Sequence, residues 1–143
     1  MKKENLNNYA FIDNQNINLG IRALGWKIDW KKFRIYLRDK YCVKKAYVFI
    51  GYVEENKKLY QFLESVGYVL IFKPTIRDGD GKIKGNCDAD LVLYAMIEYP
   101  NYDRAVIASS DGDFYSLVEY LSKNNKLKVV LSPSWERCSV LLK

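Results

Sequence analysis

The chain contains no histidine and only three cysteines, three prolines and two methionines among 143 residues. Without imidazole, the usual general base of acid–base and triad chemistry is absent. Cys42, Cys87 and Cys138 form no CxxC pair and cannot all be bridged, so they read as reduced, mostly buried small hydrophobes, and a zinc site is disfavoured. Long apolar runs are missing too. The longest, residues 46–53, includes Gly51 and is far too short to span a bilayer. Residues 1–8 are polar and lack the apolar core of a signal peptide, which leads us to expect a cytoplasmic protein. A composition of 49% hydrophobic and 28% charged residues suits one domain with a single sizeable core.

What the chain does have is acid in three separated places: Asp13, then Asp88 with Asp90, then Asp111 with Asp113. Each lies just beyond an apolar run or at the opening of a helix-like stretch. Carboxylates gathered in one place repel one another unless a divalent cation lies between them. With imidazole absent, carboxylate plus metal is the main remaining route to hydrolysis. Net charge is +6, from 23 basic and 17 acidic side chains; setting aside the five clustered aspartates leaves 23 basic against 12 acidic. Such a field favours a polyanion, although lysines also simply solvate helix faces.

Short β-rich runs alternate with amphipathic stretches. The pattern predicts strands at residues 9–13, 46–52, 68–73, 104–108 and 127–131, and helices at 29–41, 54–66, 88–99 and 113–123. Asp29 is the expected N-cap of the first helix and Gly67 the C-cap of the second. Strands that are apolar throughout, each followed by a helix, imply a parallel sheet covered on both faces, hence a three-layer α/β/α sandwich. Ligands of such sheets bind beyond the carboxyl ends of the strands, where strand order reverses. If the first and fourth strands are neighbours, Asp13 and Asp111 meet there and Asp88 joins them from a helix start.

Every acid has a plainer use to weigh. Asp88 and Asp113 suit helix caps, Asp90 suits the helix dipole, and Asp111 suits a loop. Asp13 is harder to dismiss, since a charge at the edge of a buried sheet needs a partner. Asp88 and Asp90 stand about 200° apart on a helix, which ranks Asp88 above Asp90 as a ligand.

Three ordered motifs, residues 11–16 (FIDNQN), 84–91 (KGNCDADL) and 109–114 (SSDGDF), resemble those of NYN domains in the PIN-like nuclease superfamily, specifically its LabA-like (DUF88) branch. The resemblance spans residues 9–131. It implies a Rossmann-like (PIN-like) parallel sheet of five strands in the order 3-2-1-4-5, a Mg²⁺ or Mn²⁺ site and endoribonuclease activity on single-stranded or structured RNA. Asp13, Asp88, Asp111 and Asp113 match the acidic positions, and Asn16 matches the asparagine of the first motif. Lys84 and Ser110 match flanking polar positions. Where many relatives carry a further acid, Tyr94 and Met96 stand here, with Asp90 available to supply the charge.

Among these residues Asp13 and Asp111 are the first choice for direct ligands, completed by Asp88 and Asp113, with Asn16 orienting a ligand or phosphate oxygen. The segment 73–86, with Lys73, Arg77, Lys82 and Lys84, reads as a basic flap and equally as a β-hairpin with Asp-Gly turn chemistry. An EF-hand loop from Asp78 does not fit, since Ile83 and Ala89 occupy its glycine and glutamate positions. Arg22, Lys31 and Lys32 are candidate phosphate contacts, and Trp26, Tyr115 and Trp135 candidate stacking rings. Phe49, Phe62 and Phe72 read as core. Two rival readings stand beside the nuclease. A receiver-type signalling domain lacks its lysine, Ser132 and Pro133 standing after the fifth strand. The second rival is a catalytically inactive PIN-like RNA-binding or regulatory module. The apolar run at residues 138–142 reads as a closing element, as the start of a longer C-terminal part, or as an edge for homodimer formation.

Overall fold

The computed structural model describes residues 6–15, 17, 27–74, 76–77, 83–84, 88–109 and 111–132, with backbone alone at 74, 76–77, 83–84 and 88. Its main sheet comprises β1 (Asn8–Asp13), β2 (Val43–Tyr52), β3 (Tyr68–Pro74), β6 (Ala105–Ala108) and β7 (Leu127–Leu131). All pairings are parallel, in the order β3-β2-β1-β6-β7, which is 3-2-1-4-5 when the sheet's five strands are counted alone. The helices are α1 (Trp30–Tyr41), α2 (Lys57–Ser65), α3 (Asp88–Ile97) and α4 (Tyr115–Lys123). Between β3 and α3, β4 (Ile76–Arg77) and β5 (Ile83–Lys84) pair antiparallel, as the hairpin reading of that segment expects.

The central strand explains the layering. All six residues of β1 are buried, and their side chains alternate between two cores. Ala10 and Ile12 join Trp30, Phe33 and Leu37 of α1 and Leu63 of α2 on one face. Tyr9 and Phe11 join Leu91 and Ala95 of α3 and Leu117 and Leu121 of α4 on the other. The second face is built largely from rings: Phe11 stacks on Tyr47 with centroids 5.5 Å apart, and Tyr102 meets Phe11 edge-on at the same separation. Much of the chain's aromatic content is therefore structural.

Local chemistry sets the element ends. The Asp29 carboxylate accepts from Lys32 N at 3.0 Å and caps α1 as expected. Gly67 follows α2 at φ +108°, a conformation that side chains rarely adopt, and a Cβ there would meet Arg34 Nε at 3.3 Å. Three expectations need correction. Cys42 is half-exposed rather than buried, because it closes α1 in the left-handed region at φ 56°. Phe62 and Phe72 are exposed at 45% and 39%: Phe62 lies off the buried face of α2, which carries Tyr60 and Leu63, and Phe72 lies on the edge strand β3; Phe49 is buried. Two of the expected helix starts are 3₁₀ turns, at Glu54–Asn56 and Gly112–Phe114.

At the amino end of the sheet, the fully buried Asn8 joins three segments. Its Nδ2 donates to Tyr41 O at 2.7 Å and its Oδ1 accepts from Arg104 N at 3.0 Å. Asn8→Ala would leave both backbone groups without these bonds and should cost about 2 kcal/mol in urea denaturation; a loss below about 0.5 kcal/mol contradicts this role.

Burial raises the pKa values of the Tyr68, Tyr102 and Tyr47 phenols, Tyr47 to about 12 from an ordinary 10.0. A folded-state pKa above the unfolded value gives stability that is complete below pH 10 and lost as pH rises from 10 towards 12. Urea midpoints should accordingly fall between about pH 9 and about pH 11, and a midpoint unchanged over that range contradicts the assignment.

Candidate metal and phosphate site

The site begins with a register. Tyr9 pairs with Ala105, Phe11 with Ile107 and Ile12 with Ala108. One step further brings Asp13 opposite Ser109, both on the face shared by α3 and α4. Both side chains are buried, Asp13 at 8% exposure and Ser109 at 4%. The Ser109 hydroxyl donates to Asp13 Oδ2 at 3.3 Å and accepts from the Asp111 backbone N–H at 3.1 Å.

Asp111 then starts the 3₁₀ turn Gly112–Phe114. Its Oδ1 accepts from Asp113 N at 2.9 Å, so Asp111 rather than Asp113 is the capping acid of this segment. Hydrogen bonds thus lead from the Asp13 carboxylate through one serine to the backbone N–H of Asp111, while the Asp111 carboxylate is held separately by Asp113 N. Asp113 is exposed on the same turn.

The second acidic station reaches this end of the sheet through α3, whose first residue is Asp88. This helix packs against both β1 and the Gly112–Phe114 turn. Its first turn is tied to the carboxyl end of β3 by the ion pair of Lys73 Nζ with Asp90 Oδ2, at 3.8 Å. Asp90 is therefore engaged towards β3, whereas Asp13, Ser109 and Asp111 are linked across β1 and β6.

The remaining candidates stand apart. Lys84 and Arg77 fall on β5 and β4, whose backbone alone is described. Asn16, Ser110, Arg22, Lys82, Trp26 and Trp135 lie outside the described residues. Tyr115, the first residue of α4, is 67% exposed, and Lys31 and Lys32 are exposed on α1. Sequence reasoning missed Ser109. Its signal was available: a serine directly after Ala105–Ala108, in register with the acid that ends β1.

Oxygen donors alone make up this cluster, the ligand chemistry preferred by hard divalent cations such as Mg²⁺ and Mn²⁺. Among the described residues no group of three or more His, Cys, Asp or Glu side chains could hold a metal ion, and the Asp88 side chain is not among those described. The donor chemistry of Asp13 and Asp111 suits such an ion, and α3 begins at Asp88 beside them.

Ser109→Ala removes the donor to Asp13 and the acceptor for Asp111 N, and should destabilise the chain by about 1–2 kcal/mol, read as a urea midpoint shift. Ser109→Thr, which keeps the hydroxyl, should recover most of that loss. Equal stability of wild type and Ser109→Ala contradicts the linkage.

The sequence model of the NYN domain family matches residues 9–140. No curated protein matches the chain. Among solved structures, the chain is similar to that of a protein of unknown function from Vibrio parahaemolyticus, with a TM-score of 0.76 and 26% identity, covering 99% of this chain and 90% of that one.

Proposed function

The chain belongs to the NYN domain family, and on that premise we propose that it is a metal-dependent endoribonuclease hydrolysing RNA phosphodiester bonds at Asp13, Asp88, Asp111 and Asp113. NYN domains fall within the PIN-like nuclease superfamily, which supports nuclease chemistry; the LabA-like branch is the finer assignment that the three motifs favour. The observation that carries the proposal is the linkage of Asp13 and Asp111 through Ser109 at the carboxyl end of the central strands. An acid of 8% exposure at that position has a physical reason if it serves to hold a cation.

Mg²⁺ or Mn²⁺ bound between these carboxylates would supply Lewis-acid stabilisation of phosphoryl charge and a more acidic water. The chain's own contribution is positional. Burial keeps competing water from the inner side of Asp13, and the Ser109 hydroxyl fixes which way its Oδ2 faces. Capping of Asp113 N holds Asp111 at a set angle, which leaves its other oxygen for a ligand. Asp88 and Asp113 complete the negative charge, and Asn16 orients a ligand or a phosphate oxygen. Lys84, Ser110, Arg22, Arg77 and Lys82 contact RNA phosphates. Residues 1–143 act as one domain in the cytoplasm; no helix among the described residues is long and apolar enough to cross a membrane.

Purified protein should cleave single-stranded or structured RNA with Mg²⁺ or Mn²⁺ and lose that activity in EDTA. Asp13→Asn should reduce cleavage by at least ~100-fold, and it also controls for contaminating nuclease. RNA binding unaffected by EDTA, with no cleavage under any metal, would instead establish the inactive RNA-binding module.

Ion binding should also stabilise the fold by about 2.7 kcal/mol at ~100 times Kd. Thermal unfolding with and without Mn²⁺ reads this directly, and Asp13→Asn should abolish the increase. An increase of equal size in the variant places the ion elsewhere.

A further inference from the structure

The excess positive charge of the chain resides in one stretch. Residues 27–45 hold eight basic and two acidic side chains, a net +6, which leaves 15 basic and 15 acidic over the rest. In the fold this stretch is α1, its N-cap and the start of β2. Of the eight, Arg34 donates to the carbonyls of Gly67, Val43 and Lys44, and Arg38 pairs with Asp39 at 2.9 Å. The seven cations other than Arg34 are exposed. Here the whole excess falls on α1, its N-cap and the first residues of β2, with Lys45 set against Tyr9 on the side of the sheet that faces α3 and α4.

The carboxyl-terminal part of this basic flank, with Lys40, Lys44 and Lys45, is remote from the acidic site. Tyr41, the last residue of α1, accepts from Asn8 at the start of β1, whereas Asp13 ends the same strand. Six residues of strand separate the two ends by about 17 Å. Aromatic rings hold several of the ammonium groups in place. Lys40 Nζ lies 5.6 Å from the Tyr36 ring centroid and 5.8 Å from that of Tyr41, and the two rings meet edge to face. Lys45 Nζ lies 5.6 Å from the ring of Tyr9. Lys44 and Lys45 are both exposed although they interrupt an otherwise apolar strand.

We infer that this flank is a second contact surface for RNA, binding backbone phosphates at a distance from the scissile bond. Identifying the polyanion as RNA rests on the function proposed above. A fixed array of cations beside half-buried tyrosines suits a flexible phosphate chain. An anionic membrane is the less suitable partner, because the apolar face of α1, Trp30, Phe33 and Leu37, is buried in the core and has nothing to insert. A strand spanning both surfaces must exceed about 17 Å, so RNA length becomes a specificity determinant.

Binding in EDTA tests the inference without reference to cleavage. Labelled single-stranded RNAs of about 5 and about 20 nucleotides are titrated over a salt series. The proteins are wild type, the triple variant Lys40→Gln/Lys44→Gln/Lys45→Gln, and a control triple, Lys58→Gln/Lys123→Gln/Lys128→Gln, all six positions being exposed. The first triple should bind the long RNA at least about tenfold more weakly, with the slope of log K against log salt reduced in magnitude by about 2, from three contacts at about 0.7 each. The short RNA and the control triple should show little change. Equal losses in both triples, an unchanged slope, or an equal loss for the short RNA overturns the inference, as does wild type that binds phosphatidylserine vesicles but not the long RNA. Amide exchange on wild type gives a reading independent of variant folding: the long RNA should protect residues 36–45, and no protection there counts against the surface. A chain that binds long RNA through this flank but never cleaves it would end the nuclease reading and leave this inference standing.

Discussion

Parallel pairing of β1 with β6 decides what this molecule can do. The two strands share a register, Tyr9 with Ala105 through to Ile12 with Ala108, and both are buried along their length. A slip of one residue would turn Phe11 and Ile107 towards the wrong core and carry Asp13 to the opposite face. The apolar packing of eight residues thereby fixes the place of two polar ones, Asp13 and Ser109. Asp13 and the backbone of Asp111, far apart in the chain, are then joined through the Ser109 hydroxyl.

The same sheet separates charge along its length. Asp13 and Asp111 stand at the carboxyl end, and the first turn of α3 is anchored there by Lys73. The helix flank that carries the net positive charge ends near Asn8, at the amino end. Were the cations gathered at the acids, they would neutralise the carboxylates in pairs and weaken any claim on a divalent ion. Placed along the strand axis instead, as proposed above, they would attract a polyanion while leaving the acidic end for metal chemistry.

Much of this was legible in the sequence, for identifiable reasons. Residues 105–108 are apolar on both faces, which a sheet covered on both sides explains, and β7 ends where Leu131 gives way to Ser132 and Pro133. Asp29 and Gly67 announced helix ends through capping chemistry. The start of β2 was hidden because Lys44 and Lys45 interrupt its apolar pattern, an interruption that the exposed edge of the amino end tolerates. The exposure of Phe72 depends on β3 being an edge strand, a property of topology rather than of any local residue. Within the site, Asp13 stood out because its position made a bare charge costly. Ser109 did not, since a serine after a strand is common and its meaning comes only from its register partner. Asn8 escaped for the same reason: its amide is informative only once Tyr41 and Arg104 are beside it.

The account turns on whether the carboxylates of Asp13 and Asp111 share one divalent ion. Diffraction from crystals soaked in Mn²⁺, recorded at the manganese absorption edge, answers this most directly. The account predicts one anomalous peak at the carboxyl end of β1, within coordination distance of both side chains and beside the first turn of α3. An anomalous peak elsewhere, or none at this place from crystals at saturating Mn²⁺, would contradict it.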